Sequence, residues 1–180
     1  NLNNNLKQNF EYFEIIILDE SDNNNNKNKL IKIIRQIPAL RYFKINNVSN
    51  KTIGLSIGAK HCIGDYIIKF NLDKDPIKLI SKSIDKQIQS KENLIIFGVS
   101  KDRFTFTYNF FKYIFRYFVD SLFDYNLPKG LTEFICLDKK IGNLISSNNK
   151  TLTDYKIKSL LAKYNHKTLE YQSTDNSAKG

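Results

Sequence analysis

The feature that most constrains the fold of this chain is a repeated alternation between short β-branched runs and amphipathic segments. The runs have the length and composition of buried strands, and the segments between them have helical periodicity. We predict strands at 14–18, 41–45, 66–70 and 94–99, and helices at 29–36, 52–61 and 76–89. Strands that alternate with helices favour a parallel sheet joined by right-handed crossovers. The prediction is therefore an α/β fold, with a mostly parallel sheet and helices on both faces.

The clearest of these helices is the segment 76–89, which has one apolar face and start signals at its N-terminus. Asp75 is suited to cap the helix, and Pro76 suits its first position, where a main-chain donor is not needed. The apolar face consists of isoleucines three or four residues apart, at positions 77, 80, 84 and 88. This pattern predicts a helix that packs one side against the sheet.

The second half of the chain carries a different pattern. Segment 104–123 is a long helical pattern crowded with aromatic residues, and it ends before the breaker sequence Leu127-Pro128-Lys129-Gly130. The elements predicted after it are a strand at 131–137, helices at 138–146 and 154–164, a strand at 168–171 and a loose tail at 173–180. A chain of 180 residues has the size of one domain, so we predict a single domain over 1–180.

Charge and cysteine content narrow the function classes. The formal net charge is +10, but the excess is almost all lysine, whereas phosphate and base recognition favours arginine. Charge alone therefore gives little support to a basic polyanion-binding domain, and we expect no nucleic-acid partner. The 2 cysteines, Cys62 and Cys136, have no metal-ligand spacing and are too few for a disulfide framework. They favour a reducing compartment.

Acidic residues follow two of the predicted strands, at the ends where open α/β sheets bind ligands. The first strand runs into Asp19-Glu20-Ser21-Asp22, and the third runs into Asn71-Leu72-Asp73-Lys74-Asp75. Carboxylates gathered in a basic protein suit a divalent cation or the polar edges of a nucleotide. The alternative is that Asp22 and Asp75 only cap the following helices, and that Asp19 ends its strand in a turn.

Taken together, these segments resemble the family 2 glycosyltransferases of the Rossmann-like GT-A fold. "FEIIILDESDNNN" is similar to the family's strand with an Asp-Asp-Gly-Ser-x-Asp nucleotide-binding turn, and "SIGAKHCIGDYIIKFNLDKDP" is similar to its helix leading into the Asp-x-Asp metal motif. Downstream, "LIIFGVSKDR", the aromatic helix and "NLPKGLTEFICLDKKI" resemble, in order, the branch that uses polyprenyl phosphates, the dolichol-phosphate mannose synthase-like enzymes. The resemblance covers about residues 10 to 146.

The resemblance implies a sugar transfer from a nucleotide-diphosphate donor, with inversion, to a polyprenyl phosphate or a sugar hydroxyl. It implies that the turn after the first strand binds the nucleotide, through Asp19, Glu20, Ser21 and Asp22. It also implies weakly bound Mg²⁺ or Mn²⁺ on the diphosphate, with Asp73 and Asn71 as the metal ligands. A hydroxyl acceptor would need a general base, and the candidate catalytic residues are Asp75 and Glu133.

Several motif positions depart from the family pattern. Asn71 replaces the first Asp of the metal motif, and Ser100, Ile135 and Lys139 replace arginines. An alternative register takes Asp73-Lys74-Asp75 as the metal motif and keeps both carboxylates. These substitutions also leave open a non-catalytic remnant or assembly module that retains the fold. Because the family's opening strand does not precede residue 1, we interpret the sequence as a fragment that lacks this strand.

The aromatic segment 104–123 bears on partners and location. Its apolar residues are too many for one sheet face to cover, so it is either a core helix or a surface that meets a membrane or a second copy of the chain. Polyprenyl phosphates reside in membranes. The expected location is the cytoplasm, including peripheral association with the cytoplasmic face of a membrane.

Overall fold

The computed structural model of the chain describes residues 2–19, 27–45, 53–90, 94–101, 130–147, 157–158, 160–161 and 163–172. The helices are α1 (Leu2–Asn9), α2 (Lys27–Gln36), α3 (Ile53–His61), α4 (Lys78–Gln89) and α5 (Lys139–Ser147). The strands are β1 (Ile15–Asp19), β2 (Leu40–Lys44), β3 (Tyr66–Lys69), β4 (Ile95–Ser100), β5 (Leu131–Asp138) and β6 (His166–Tyr171). The protein therefore has an α/β fold, as predicted.

The chain divides into two compact units, each built from two stretches of sequence. One unit comprises Asn1–Ile67 and Asp138–Asp154, and the other comprises Ile68–Leu137 and Tyr155–Gly180. In the part of the chain that the structure describes, no helix combines the length and the apolar character needed to cross a membrane.

The first unit contains the parallel strand pair β1–β2. The register pairs Ile15 with Leu40 at one end and Asp19 with Lys44 at the other. Helix α3 packs on β1 and on α5. Ala59 of α3 is fully buried in this packing. A Cβ atom at Gly58 would lie 3.6 Å from Leu18 Cδ1, an ordinary contact, so the packing of α3 on β1 does not require a glycine there.

The second sheet has four strands in the order β3-β5-β4-β6. Strand β4 pairs antiparallel with β5 and parallel with β6. The apolar residues Ile95, Ile96 and Phe97 of β4 are completely buried. Because successive side chains point to opposite faces, β4 is covered on both faces here. The core around it also contains Leu79, Leu94, Phe134, Cys136, Leu169 and Tyr171.

The structure requires glycine at two positions of this sheet, Gly130 for its backbone conformation and Gly98 for lack of space. Gly130 has φ of +74° at the start of β5, a backbone conformation that side chains disfavour. A Cβ atom on Gly98 would lie 2.6 Å from Thr132 Oγ1 and 2.8 Å from Phe134 Cβ. The strands β4 and β5 can therefore pair closely here only because residue 98 has no side chain.

The strands and helices predicted within the described residues agree with the structure less well in two features than in the rest, and helix α1 was not predicted. The prediction was one mostly parallel sheet, whereas the described strands form a two-stranded parallel sheet and a four-stranded mixed sheet in which β5 pairs antiparallel with β4. Asp75 does not cap the following helix, since α4 begins at Lys78 and Ile77, its N-cap residue, makes no side-chain cap hydrogen bond. Segments 104–123 and 173–180, and Glu20, Ser21 and Asp22, lie outside the described residues.

Candidate functional site

The carboxylate of Asp19 lies at the carboxyl end of β1, beside two polar side chains of β2. The Tyr42 hydroxyl donates to Asp19 Oδ2 at 2.6 Å, and Lys44 Nζ lies 3.3 Å from the same oxygen. The hydrogen bond to Asp19 raises the pKa of Tyr42, with burial and the negative charge of Asp19 as smaller causes. This end of the parallel pair therefore presents a partly buried carboxylate, a phenol and an ammonium group together.

The register of the strand pair explains this cluster. Asp19 and Lys44 are direct partners across the parallel pair, so their side chains lie on one face. Tyr42 precedes Lys44 by two residues and points to that same face, because side chains alternate along a strand. Asp19 was predicted from the sequence, but Tyr42 and Lys44 were not, because their strand was interpreted only as a buried run. Their alternation along β2 was the available signal.

The predicted metal residues Asn71 and Asp73 belong to a tight turn between β3 and α4. The Asn71 side-chain oxygen accepts the main-chain N–H of Asp73 at 3.0 Å, and the Asn71 main-chain oxygen accepts that of Asp75 at 2.8 Å. This is the Asx-turn arrangement that asparagine favours. The side chain of Asp73 is exposed at the tip.

Asp75 has a different environment from Asp73. Only 3% of its surface is exposed. Its carboxylate accepts a hydrogen bond from the Tyr171 hydroxyl group and another, at 2.8 Å, from the main-chain N–H of Asn71. Both carboxylate oxygens are therefore hydrogen-bonded within the protein. The interaction fixes the turn against the end of β6.

Glu133, the other candidate base, lies on β5 with an exposed side chain. It forms a long ion pair with Lys69 of β3, with Nζ 3.9 Å from the Glu133 Oε2 atom, and 57% of the Glu133 side chain is exposed. A surface ion pair of this kind contributes little to stability. The carboxylate is thus accessible to a molecule in solution.

A metal would find a small set of oxygen donors in the turn. Among the described residues, no cluster of three or more His, Cys, Asp or Glu side chains could enclose an ion. Asn71 and Asp73 offer an amide oxygen and a carboxylate two residues apart. These two oxygen ligands do not form a protein cage, and an ion bound there would need water or another molecule to complete its coordination.

A second carboxylate, Glu14, positions the turn before β3, and sequence reasoning did not find it. Its Oε1 atom accepts the main-chain N–H of Ile63 at 2.5 Å and that of Gly64 at 3.4 Å, while Arg41 donates to its Oε2 atom at 2.8 Å. Burial raises the pKa of Glu14, but these hydrogen bonds and the Arg41 charge outweigh burial and lower it. Glu14 therefore acts as an ionised anchor for the turn.

The ammonium group of Lys139, the first residue of α5, is engaged within the protein. Nζ donates to the main-chain oxygens of Ala59, at 3.1 Å, and Cys62, and lies 3.0 Å from Cys62 Sγ. The lysine thus satisfies carbonyls at the C-terminus of α3, where cations are favoured.

The chain was compared with family models and with curated proteins. No family model matches it. No curated protein matches it either.

Proposed function

We propose that this chain is a GT-A-like glycosyltransferase domain that uses a nucleotide-diphosphate sugar as donor and transfers the sugar, with inversion, to a polyprenyl phosphate or a sugar hydroxyl. The observation that carries the proposal is the position of Asp19. Its carboxylate lies at the carboxyl end of β1, in a parallel pair, where the family's nucleotide-binding turn has its first acid. Ligands of open α/β sheets bind beyond such strand ends.

Asp19 is the proposed contact to the nucleoside. A carboxylate accepts hydrogen bonds from ribose hydroxyls or from a base N–H group. Tyr42 donates to Asp19 Oδ2 and so fixes the orientation of the carboxylate. Lys44 brings a positive charge to the same place, 3.3 Å from this oxygen, which suits a ligand that carries phosphates.

The turn after β3 is the proposed metal-binding part, through Asp73 and Asn71. A bound divalent cation would neutralise the diphosphate as it leaves the sugar. The Asx turn holds the Asn71 amide oxygen and the exposed Asp73 carboxylate on one short loop. Because asparagine supplies a neutral ligand, we expect the ion to be held weakly.

The acceptor decides whether a base is needed. A polyprenyl phosphate is already an anionic nucleophile, whereas a sugar hydroxyl requires a carboxylate within hydrogen-bond reach. Of the two candidates we favour Glu133, because its side chain is exposed. Asp75 is buried and already accepts two hydrogen bonds.

Calorimetry with uridine and guanosine diphosphates, with and without manganese, tests the proposal. We expect weak binding that requires manganese and that falls about tenfold or more in Asp19→Asn, since a hydrogen bond to a charged group is worth about 1.5–3 kcal/mol. Asp85→Asn, at an exposed acid on α4, is the matched control and should bind as the wild type does. Equal binding by Asp19→Asn and the wild type, or no binding of either nucleotide, would contradict the proposal.

A non-catalytic module with the same fold is the second candidate. The observation that favours it is the state of the metal motif: Asn71 is neutral, and the nearby acid Asp75 is used within the protein. A transfer assay with radiolabelled nucleotide sugars and a polyprenyl phosphate separates the two candidates. Nucleotide binding without any transfer would favour the module, and release of labelled lipid would favour the enzyme.

A further inference from the structure

We propose that Cys62 and Lys139 form an oxidation-sensitive pair: hydrogen peroxide converts the Cys62 thiol to a sulfenic acid, and the Lys139 amine then condenses with it to a covalent sulfenamide. Nothing in the proposed sugar transfer uses either side chain. The modification site therefore stands independently of that function.

The distance between the two reacting atoms carries the proposal. Lys139 Nζ lies 3.0 Å from Cys62 Sγ. Reacting atoms separated by about 3–3.5 Å are in the range of a near-attack arrangement. Bond formation between nitrogen and sulfur would therefore require only a small movement of two side chains that already touch.

The surrounding main chain holds the pair in place. Lys139 is the first residue of α5, and its N–H donates to the Asp65 oxygen at 2.8 Å. Cys62 directly follows α3, with its N–H bonded to the Gly58 oxygen at 2.9 Å. The Cys62 thiol donates to the Ala59 oxygen at 3.3 Å, and the Lys139 ammonium donates to that oxygen at 3.1 Å. Both side chains are thus anchored at the same helix end.

Cys136 provides an internal contrast within the same chain. Its side chain is completely buried in the sheet core, and burial raises the pKa of its thiol to about 11. Because the thiolate is the reactive form, this cysteine is protected both by burial and by protonation. Cys62 is only partly buried, so peroxide can reach it.

The two steps balance without any further reactant. In the first, peroxide transfers an oxygen atom to the thiol sulfur, which loses two electrons, and the O–O bond breaks to release one water. The Lys139 ammonium then gives a proton to solvent, and the nitrogen lone pair attacks the sulfenic sulfur. The N–S bond forms as the S–O bond breaks, and the oxygen leaves as a second water with a proton from the amine. Two equivalents of an added thiol reduce the N–S bond, which restores the Cys62 thiol and the Lys139 amine and leaves the added thiol as a disulfide.

Peptide mapping of the peroxide-treated protein tests the proposal. Unreacted thiols are alkylated with iodoacetamide in denaturant before digestion with trypsin. We expect peptide 61–69 linked to peptide 130–140, with trypsin unable to cleave after the modified Lys139. The mass of the linked species should be the sum of the two peptide masses less two hydrogens. Cys136 lies in the same peptide as Lys139, and its alkylation in the linked species distinguishes a sulfenamide from a disulfide between the cysteines. Dithiothreitol should separate the two peptides.

Three variants complete the design. Lys139→Arg keeps a cation and donors at the helix end, but a guanidinium is not deprotonated in proteins and cannot form the bond. We expect it to lose the linked peptide while Cys62 still forms a sulfenic acid that dimedone traps. Lys140→Gln, at the neighbouring exposed lysine, should form the same link, with peptide 61–69 joined to peptide 130–150 because trypsin no longer cleaves after residue 140. Cys62→Ser should lose the link and the dimedone adduct.

The peptide maps of the wild type and the three variants can support or contradict the sulfenamide between Cys62 and Lys139. Loss of the linked peptide in Lys139→Arg and Cys62→Ser, with retention in Lys140→Gln, supports the proposal. If the wild-type protein gives only sulfinic or sulfonic acid at Cys62, or if Lys139→Arg still yields a link, the proposal is wrong. Circular dichroism of each variant confirms that the comparison is between folded proteins.

Discussion

Asp75 Oδ2 accepts the main-chain N–H of Asn71 at 2.8 Å, so one side chain closes the turn that carries the candidate metal ligands. The carboxylate also accepts a hydrogen bond from the hydroxyl group of Tyr171, a residue 96 positions later in the chain. A local turn and the last described strand of the second unit are therefore joined through one buried acid. Both oxygens of Asp75 therefore already accept hydrogen bonds within the protein. The alternative metal register would require the same carboxylate to bind the ion.

Replacing Asp75 should destabilise the protein. Asp75→Ala leaves the Tyr171 hydroxyl and the Asn71 N–H without their acceptor, and we expect a loss of about 2–4 kcal/mol in the free energy of unfolding. Urea denaturation followed by circular dichroism measures this change. Asp85→Ala removes an exposed acid from α4 and should change the stability by less than about 0.5 kcal/mol. Similar stabilities for both variants would contradict the structural role.

Manganese titrations distinguish the two metal registers. If Asn71 and Asp73 are the ligands, Asn71→Asp adds a second anionic ligand and should strengthen manganese binding, whereas Asp73→Ala should weaken it. If Asp73 and Asp75 are the ligands, Asn71→Asp should change little, and Asp75→Ala should weaken binding as much as Asp73→Ala does. Each titration counts only at a temperature where the variant is folded. If neither the wild type nor any of the three variants binds manganese at millimolar concentrations, the result would favour the non-catalytic module.

The stability contribution of Glu14 should depend on pH. Its pKa is lowered below the ordinary value of 4.5, so the folded state favours the ionised carboxylate. A group with a lowered pKa contributes its stability above the ordinary value, and that contribution is lost as the pH falls through the lowered pKa. We expect Glu14→Gln to cost about 1–2 kcal/mol at neutral pH and less in acid.

Denaturation curves at neutral and acidic pH measure this dependence. Glu11→Gln, at an exposed glutamate nearby in sequence, is the control and should follow the wild type at each pH. A difference between Glu14→Gln and the wild type that is constant across the pH range would show that ionisation of Glu14 does not matter.

Gly98→Ala should disturb the pairing of β4 with β5. The added methyl would lie 2.8 Å from Phe134 Cβ, an atom fixed to the backbone of β5, so the strands must shift. Overpacking of this kind costs about 1–3 kcal/mol. Gly64→Ala is the matched control, because its Cβ atom would come no closer than 3.6 Å to other atoms. Equal melting temperatures for the two variants would contradict the prediction.

The positions of the strands were predictable because each carries a short run of apolar residues. The first strand was predicted at 14–18 and lies at Ile15–Asp19, and the fourth was predicted at 94–99 and lies at Ile95–Ser100. The order of the strands was not predictable in the same way. Local periodicity contains no information on which strand pairs with which, and the insertion of β5 beside β4 depends on packing between distant segments.

In the candidate site, too, local features could be predicted from the sequence, whereas contacts between distant residues could not. The position of Asp19 at a strand end followed from the sequence, because it depends only on the strand that precedes it. Its partner Tyr42 is 23 residues away, and the contact of Lys139 with Ala59 spans 80 residues. Such partners arise only when the elements pack. Glu14 was missed for this reason, since its bonds reach Ile63 and Gly64, 49 and 50 residues further on.

The parallel pairing of β4 with β6 has a consequence for the synthesis of the chain. Strand β4 spans Ile95–Ser100, but its neighbour β6 spans His166–Tyr171. One edge of β4, which contains the buried residues Ile95, Ile96 and Phe97, therefore has no partner until the ribosome has added this much later segment. The hydrogen bond between Tyr171 and Asp75 also forms only then. The second unit cannot complete its sheet until this segment has left the exit tunnel. During that interval the nascent chain presents an unpaired strand edge, the type of surface on which chaperones act and from which aggregation starts.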